Sequence, residues 1–392
     1  MQRLNVPVSQ RLLDAIHASV EGASLSTKQS AQAVSELSRI FTTERNRISF
    51  SYLDSSHLGA AYLQYFLPVN LAKIQRLLNE MPTPEVDESF SVLDLGSGPG
   101  TGALAALDWW QQQTLPYVLS VTAVDGSKAA LSQAQQLWNR YCQASGIGTA
   151  GLQTYEGDLE GRAWLERVKQ LGPFGLIIVA NCLNEIYADA KDPVELRSGL
   201  ITECLSLLTP QGTVMVVEPA LRETSRGLLH VRDRLLQEKR CSIYSPCLHE
   251  DGCPALVSPT DWCHEERAWE PPEIIRQIDE EAGFIKDALK FSYLLLRKDG
   301  KTITERRSDI YRVVSELRKM KGEKRAWLCN EQGRQEVGRQ DRLASPANTA
   351  FDQWHRGSIV QIERIVRKER EGKVSALGRI DQDAGVRIIR PV

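Results

Sequence analysis

The sequence predicts an α/β protein, with a doubly wound parallel sheet preceded by helices and followed by a small β-rich module. Three observations predict it. From Glu88 onward short apolar runs alternate with helical patterns, which is how a parallel sheet covered on both faces is built. The run Ser91-Val92-Leu93-Asp94-Leu95 passes through Gly96-Ser97-Gly98-Pro99-Gly100-Thr101-Gly102 into an Ala/Leu-rich helix near Ala103. A buried strand therefore feeds a helix through a turn free of bulky side chains. Beyond Lys301 the pattern changes to short strands with Gly-bearing turns, at Tyr311–Leu317, Ala326–Asn330, Ser358–Val366, Val374–Gly378 and Val386–Ile389, with Arg339–Asn348 as a loop, as in a small β-barrel of the oligonucleotide-binding type.

With 392 residues the chain can hold two or three domains. We expect an N-terminal helical region over 1–85, a sheet domain over 86–300 with a cysteine-rich insertion at 241–265, and a basic module over 301–392. In the first region Val8–Val20 and Ser26–Phe41 carry apolar positions at helical spacing, and Ala60–Leu78 reads as a longer helix interrupted at Pro68. Tyr52, Tyr62, Tyr65 and Phe66 are expected to cover one edge of the following domain.

The strands of the sheet domain read as Ser91–Leu95, Tyr117–Val124, Leu152–Tyr155, Phe174–Ala180 and Thr213–Val217, with a helix from Leu221 to Lys239 after the fifth. The first three end in acids, Asp94, Asp125 and Asp158. Gly98, Gly100 and Ala103 satisfy the looser dinucleotide-binding spacing, so the glycines alone decide little. The whole string Asp-Leu-Gly-Ser-Gly-Pro-Gly resembles the first motif of class I S-adenosylmethionine-dependent methyltransferases. That resemblance implies a cofactor site at Asp94, Gly96, Ser97, Gly98 and Gly100. Asp125 is placed to accept hydrogen bonds from ribose hydroxyls, and Asp158 matches the acid that meets the adenine amino group in that family. The fourth strand aims Asn181-Cys182-Leu183-Asn184-Glu185 at the same crevice, which adds Asn181 to the cofactor residues. No Asn/Asp-Pro-Pro-aromatic motif of amino-group methylases is present, and no second cysteine motif supports Cys182 as a nucleophile; it reads as core.

Formal net charge is −2, but Lys301–Val392 contains 21 Lys and Arg against 13 Asp and Glu, a net of +8 that leaves −10 for the rest. A basic end on an acidic body points to an anionic partner, RNA first; Arg318–Arg325 is a basic turn suited to phosphates. No apolar run approaches a membrane span, and the first residues lack a signal-peptide core, so a cytoplasmic protein is expected. Thiols stay reduced there. Its eight cysteines then read as metal ligands or core.

Four of them, Cys241, Cys247, Cys253 and Cys263, lie with His249 and His264 in one Pro/Gly-punctuated stretch. That clustering points to a metal centre. Zinc takes four thiolates, or three with a histidine, and an iron–sulfur cluster also takes four; spacing leaves zinc ahead. Pro-Cys-(five residues)-Cys-Pro, then Asp261-Trp262-Cys263-His264, then Lys290-Phe291-Ser292-Tyr293-Leu294-Leu295-Leu296-Arg297 resembles the methyltransferase-like family of mitochondrial small-subunit ribosome assembly factors and their bacterial relatives. The resemblance covers roughly residues 45 to 335. Leu248-His249-Glu250 stands where that family often has Pro-His-Asp. The resemblance implies a 4Fe–4S cluster on Cys247, Cys253, Cys263 and Cys329, the last matched by position.

It also implies a ribosomal small-subunit assembly or translation factor that binds rRNA and S-adenosylmethionine and is a monomer outside the ribosome. An active S-adenosylmethionine-dependent rRNA methyltransferase is the alternative, and a zinc-stabilised small-molecule methyltransferase a further one.

Overall fold

Local signals set the N-terminal helices. In the computed structural model, which describes residues 7–20, 25–44, 55–85, 88–370 and 372–392, α1 spans Gln10–Val20 and α2 spans Thr27–Thr42. Ser26 and Gln29 form a full capping box at the start of α2, closing two orphan N–H groups reciprocally. Helix α3 (Ser56–Ala61) continues through a π-turn, Tyr62–Phe66, into α4 (Leu67–Glu80). The expected interruption at Pro68 does not occur. Proline has no N–H to donate, and the wider turn just before it carries the chain past the ring. Tyr52 lies outside the described residues.

Strands and helices then alternate: β1 (Ser89–Leu95), α5 (Thr101–Gln112), β2 (Val118–Asp125), α6 (Lys128–Ser145), β3 (Ala150–Glu156), α7 (Ala163–Val168), β4 (Phe174–Ala180), α8 (Pro193–Ser206), β5 (Leu208–Pro219) and α9 (Arg222–Gln237). After α9 come β6 (Ser242–Ser245), β7 (Glu265–Ala268), α10 (Glu273–Ala282) and β8 (Ala288–Arg297). The sheet runs β3-β2-β1-β4-β5-β8-β6, with β7 also on β8. β1 to β5 pair in parallel, and β8 enters antiparallel to β5. Both faces are covered. Val92 and Ile178 belong to one buried cluster, Leu93 and Ile177 to the other, which is why these strands read as continuous apolar runs. Strand order reverses between β1 and β4, and this opens a crevice at their carboxyl ends.

The cysteine stretch sits between β5 and β8, as its sequence suggests, but it carries β6 and β7 as well as loop. A second sheet contains β9 (Ile310–Val313), β10 (Arg318–Met320), β11 (Glu323–Asn330), β12 (Gly333–Gln340), β13 (Ile359–Ile362), β14 (Val366–Arg370), β15 (Lys373–Arg379) and β16 (Val386–Arg390). Its order is β14-β15-β12-β11-β9-β13-β16, with β10 on β11. Two local expectations are corrected here. Arg339, expected in a loop over Arg339–Asn348, belongs to β12, whose Gly-Arg-Gln-Glu-Val-Gly-Arg-Gln sequence has only Val337 as an apolar inward residue. The single strand expected over Ser358–Val366 is two, β13 and β14.

Candidate cofactor crevice and cysteine cavity

The glycine turn after β1 is shaped by its acid. Asp94 is buried; its carboxylate accepts from the Ser97 hydroxyl at 2.7 Å and from Ala103 N–H at 2.8 Å. A Cβ on Gly102 would stand 2.3 Å from Asp94 Oδ1, so only glycine lets the first turn of α5 close over this acid. Burial pushes Asp94 up to about 7 against the pull of those hydrogen bonds. Asp94 therefore organises the loop and the helix start directly. Asp125 ties the neighbouring turn to it, accepting from Gly98 N–H and Ser127 N–H at 2.8 Å each, and burial raises it too. Asp158 is exposed and accepts from Glu160 N–H. Asn181 stands at φ +58° at the end of β4, its N–H donating to Val217 O at 2.7 Å.

Cys182 is packed against Gly96, where an added Cβ would meet its Sγ at 2.5 Å. Burial pushes its thiol well up, helped by the carboxylates of Glu218, Glu185, Asp125 and Asp94. Expected as core, Cys182 is partly buried and packs against the core cluster from its edge.

Two residues of the crevice read in the sequence only as a domain-edge aromatic and a strand-end acid. Tyr62, in the π-turn, hydrogen-bonds Thr101 at the start of α5 and lies near Glu185 and Asp125; burial raises it to about 12. The N-terminal helices thus reach over the crevice. Glu218, at the end of β5, is 1% exposed, and its Oε1 accepts from Asn184 N–H at 3.3 Å. Burial raises its carboxyl to about 8, so it holds its proton at neutral pH.

The second candidate centre lies on the other side of β8. Cys247, Cys253 and Cys263 from the insertion and Cys329 from β11 line one cavity of about 50 Å³. Burial pushes Cys253 up to about 12 and Cys263 up to about 11, and the neighbouring thiols add to both. Cys329 is raised well above its ordinary value by burial and by the other three. His249 Nε2 is 3.7 Å from Cys329 Sγ, while Cys241 lies outside the cavity lining. Among the described residues no group of three or more His, Cys, Asp or Glu side chains is arranged to hold one metal ion.

Buried arginines shape the loop around this cavity. Arg232 of α9, fully buried, donates to His249 O at 2.8 Å and Asp251 O at 2.9 Å, and pairs with Asp233. Asp233 in turn accepts from Cys253 N–H at 3.0 Å. Arg226 donates to the carbonyls of Ser258 at 2.8 Å and Asp261 at 2.7 Å. The carbonyls of an irregular, partly exposed loop thus find donors on one rigid helix.

The family model for the mitochondrial small ribosomal subunit protein Rsm22 matches residues 57–339, which takes in the crevice and all four cavity cysteines. The chain belongs to the Rsm22 family. No curated protein matches it by sequence. Among solved structures it is similar to a protein assigned as an S-adenosylmethionine-dependent methyltransferase of Streptococcus mutans, at 14% identity over 58% of this chain and 48% of that one, TM-score 0.33. It is similar also to a type I restriction-modification methyltransferase subunit of Streptococcus thermophilus, at 12% identity over 71% and 56%, TM-score 0.36. A third, assigned as an S-adenosyl-L-methionine-dependent methyltransferase of Methanococcus maripaludis, has 14% identity over 66% and 97%, TM-score 0.31. The chain spans about half the length of the first of these.

In this Rsm22-family chain the second sheet is fastened to the cysteine insertion by arginines. Arg334 pairs with Asp261, and its guanidinium lies 5.0 Å over the Trp327 ring. Arg306 reaches Glu250 at 2.9 Å and Ile243 O at 3.0 Å, and Arg356 donates to His264 O at 3.3 Å. Beside the cavity lies a buried ion network. Arg312 binds Glu265 at 2.9 Å and the Tyr293 hydroxyl at 2.9 Å, while Arg267 binds Glu80 at 2.5 Å. Ser245 and Tyr293 also donate to Glu80. Burial alone would raise Glu80, but Arg267 and Arg312 overcome it and hold the carboxyl down at about 2. This network joins α4, β6, β7, β8 and β9. The basic turn is less free than its sequence implies: Arg318 pairs with Glu336, Arg325 with Glu323, and Lys324 with Asp352. Lys319 and Lys321 at the tip are exposed, as are Lys368 and Lys373 on the β14–β15 hairpin. No helix among the described residues is long and apolar enough to cross a membrane.

Proposed function

We propose that the chain is a small ribosomal subunit assembly or translation factor, monomeric when free, that binds rRNA and S-adenosylmethionine and holds a 4Fe–4S cluster. The match of residues 57–339 to a small-subunit protein family carries this reading. The strand order and the glycine turn support a nucleoside cofactor at the carboxyl ends of β1, β2 and β4, with Asp94, Gly96, Ser97, Gly98, Gly100, Asp125, Asp158 and Asn181 around it. Asp125 would exchange its Gly98 and Ser127 N–H partners for ribose hydroxyls. Exposed lysines of the second sheet, Lys319, Lys321, Lys368 and Lys373, supply cations for RNA phosphates.

The cavity chemistry fits the cluster. Four thiols share one space, and burial with the neighbouring thiols disfavours the thiolates of Cys253, Cys263 and Cys329, so a strongly cationic centre is what would make thiolates stable there. A 4Fe–4S centre spreads its thiolates over four irons, one each, and so needs them wider apart than a single zinc ion does. When bound it would supply a redox-active covalent clasp between the insertion and β11. His249 and His264 would then be neighbours of the cluster, not ligands.

Anaerobic purification with metal and sulfide analysis tests the centre: stoichiometric iron and sulfide with a broad visible band is the expected result, and zinc alone would refute it. Co-sedimentation with small subunits, weakening steeply with salt, tests the partner. An active rRNA methyltransferase is a second reading, favoured by the intact Asp94–Gly102 turn. Catalytic tritiated-methyl incorporation into small-subunit RNA, lost on Asp94→Ala, would establish turnover.

A further inference from the structure

A surface groove of about 610 Å³ lies on the methyltransferase-like body, outside both candidate centres. Its walls are the two segments flanking α10: Trp269-Glu270-Pro271 before it and Phe284-Ile285-Lys286-Asp287 after it. The sequence forces this shape. Gly283, at φ +70°, ends α10 in the left-handed region, and the chain reverses so that Trp269 N–H donates to Asp287 O at 2.9 Å. The reversal leaves Ile285 85% exposed, with the Trp269 and Phe284 rings partly exposed beside it. An isoleucine so exposed costs solvation that no contact among the described residues repays.

The charges around these apolar groups are one-sided. Glu270, Asp279, Glu280 and Asp287 line the groove against Arg276 and Lys286, and both cations are already engaged. Arg276 is paired with Glu273 at 2.6 Å, and the Lys286 ammonium lies 5.4 Å over the Tyr65 ring. Asp279 at the floor accepts from the Tyr65 hydroxyl at 2.5 Å. Glu270, Glu280 and Asp287 remain exposed. Such a rim repels phosphate, so nucleic acid is the wrong occupant. An aromatic and aliphatic floor with a carboxylate rim is complementary to a polypeptide segment with apolar anchors flanked by Lys and Arg.

We propose that the groove between Trp269 and Ile285 docks a Lys/Arg-rich amphipathic segment of a small-subunit protein, so that the chain grips RNA with its second sheet and protein with its body. The identity of the partner rests on the function proposed above; the chemistry of the groove does not.

Two arms test it on the full-length chain. In the first, a fluorescent amphipathic Lys/Leu peptide is titrated against the wild type and the Ile285→Lys/Glu280→Lys variant. Both side chains are exposed, so the fold is spared. Affinity should fall at least roughly tenfold in the variant, and a Glu/Leu peptide should bind neither. Equal binding of the Lys/Leu peptide to both proteins overturns the groove. In the second arm, an Ile285→p-benzoylphenylalanine protein is irradiated on small subunits. Cross-links to a Lys/Arg-rich protein segment support the proposal. Cross-links to rRNA or to a second copy, or none from a protein that co-sediments, overturn the assigned occupant. Failure to co-sediment overturns the ribosomal reading and the assigned partner, while the peptide arm still decides the groove.

Discussion

Glu218→Gln isolates one buried proton. Burial lifts the Glu218 carboxyl from its ordinary 4.5 to about 8, so between those values the folded protein keeps a proton that the unfolded chain has released. A group raised by folding contributes fully below its unfolded value, and that contribution is lost as pH rises through the folded one. Stability therefore falls with pH at up to about 1.4 kcal/mol per pH step across this window, a ceiling of about 5 kcal/mol. Glutamine keeps the acceptor for Asn184 N–H and cannot ionise. Thermal midpoints of both proteins, free of cofactor, should be compared from pH 5 to 8.5. Asp94, raised to about 7, titrates with the same sign in both proteins and cancels in the difference. At about 2–4 °C per kcal/mol for a core of this size, the wild type should lose at least about 5 °C relative to the variant. Parallel curves would show that Glu218 is ionised at neutral pH and would refute the reasoning.

Gly96→Ala combines φ +63° with a Cβ 2.5 Å from Cys182 Sγ. It should cost roughly 2–4 kcal/mol from left-handed strain and overpacking and abolish S-adenosylmethionine binding by calorimetry; Cys182→Gly in the same chain should restore part of the stability. Arg312→Met removes one of the two arginines that hold Glu265, leaving Arg267 alone with it and with Glu80, and should lower stability by about 3 kcal/mol in denaturant titrations. Arg234→Ala, which breaks exposed pairs with Glu195 and Glu238, should cost less than about 1 kcal/mol. Removing iron with a chelator should make the segment before β9 cleavable in limited proteolysis, since Cys329 would no longer fasten the second sheet.

The first sheet was legible because its central strands, β1, β4 and β5, are buried on both faces and the turn after β1 is glycine-rich. Asp94, Asp125 and the cysteines stood out as chemistry at expected strand ends or in a loop too dense in sulfur to be accidental. Three things were hidden. Pro68 reads as a helix end, and only the π-turn before it shows how the helix survives. β12 is nearly all polar because Arg339 is buried on its own partners, Asn348 O and Asp352, at 3.0 and 2.8 Å, which leaves no apolar alternation to read. Tyr62 and Glu218 act through contacts between distant segments, which no local pattern encodes. The basic turn misled in the opposite direction, because a net charge says nothing of how many cations have carboxylate partners across the strand.

Arg390 of β16 donates to the carbonyl of Glu80 at 3.2 Å across 310 positions, onto the same residue that anchors the buried ion network. During vectorial synthesis the end of α4 gains this partner only after the whole second sheet has been made. Until then the carbonyl at the end of α4 lacks this donor, and Arg390→Ala would withhold it from the finished molecule.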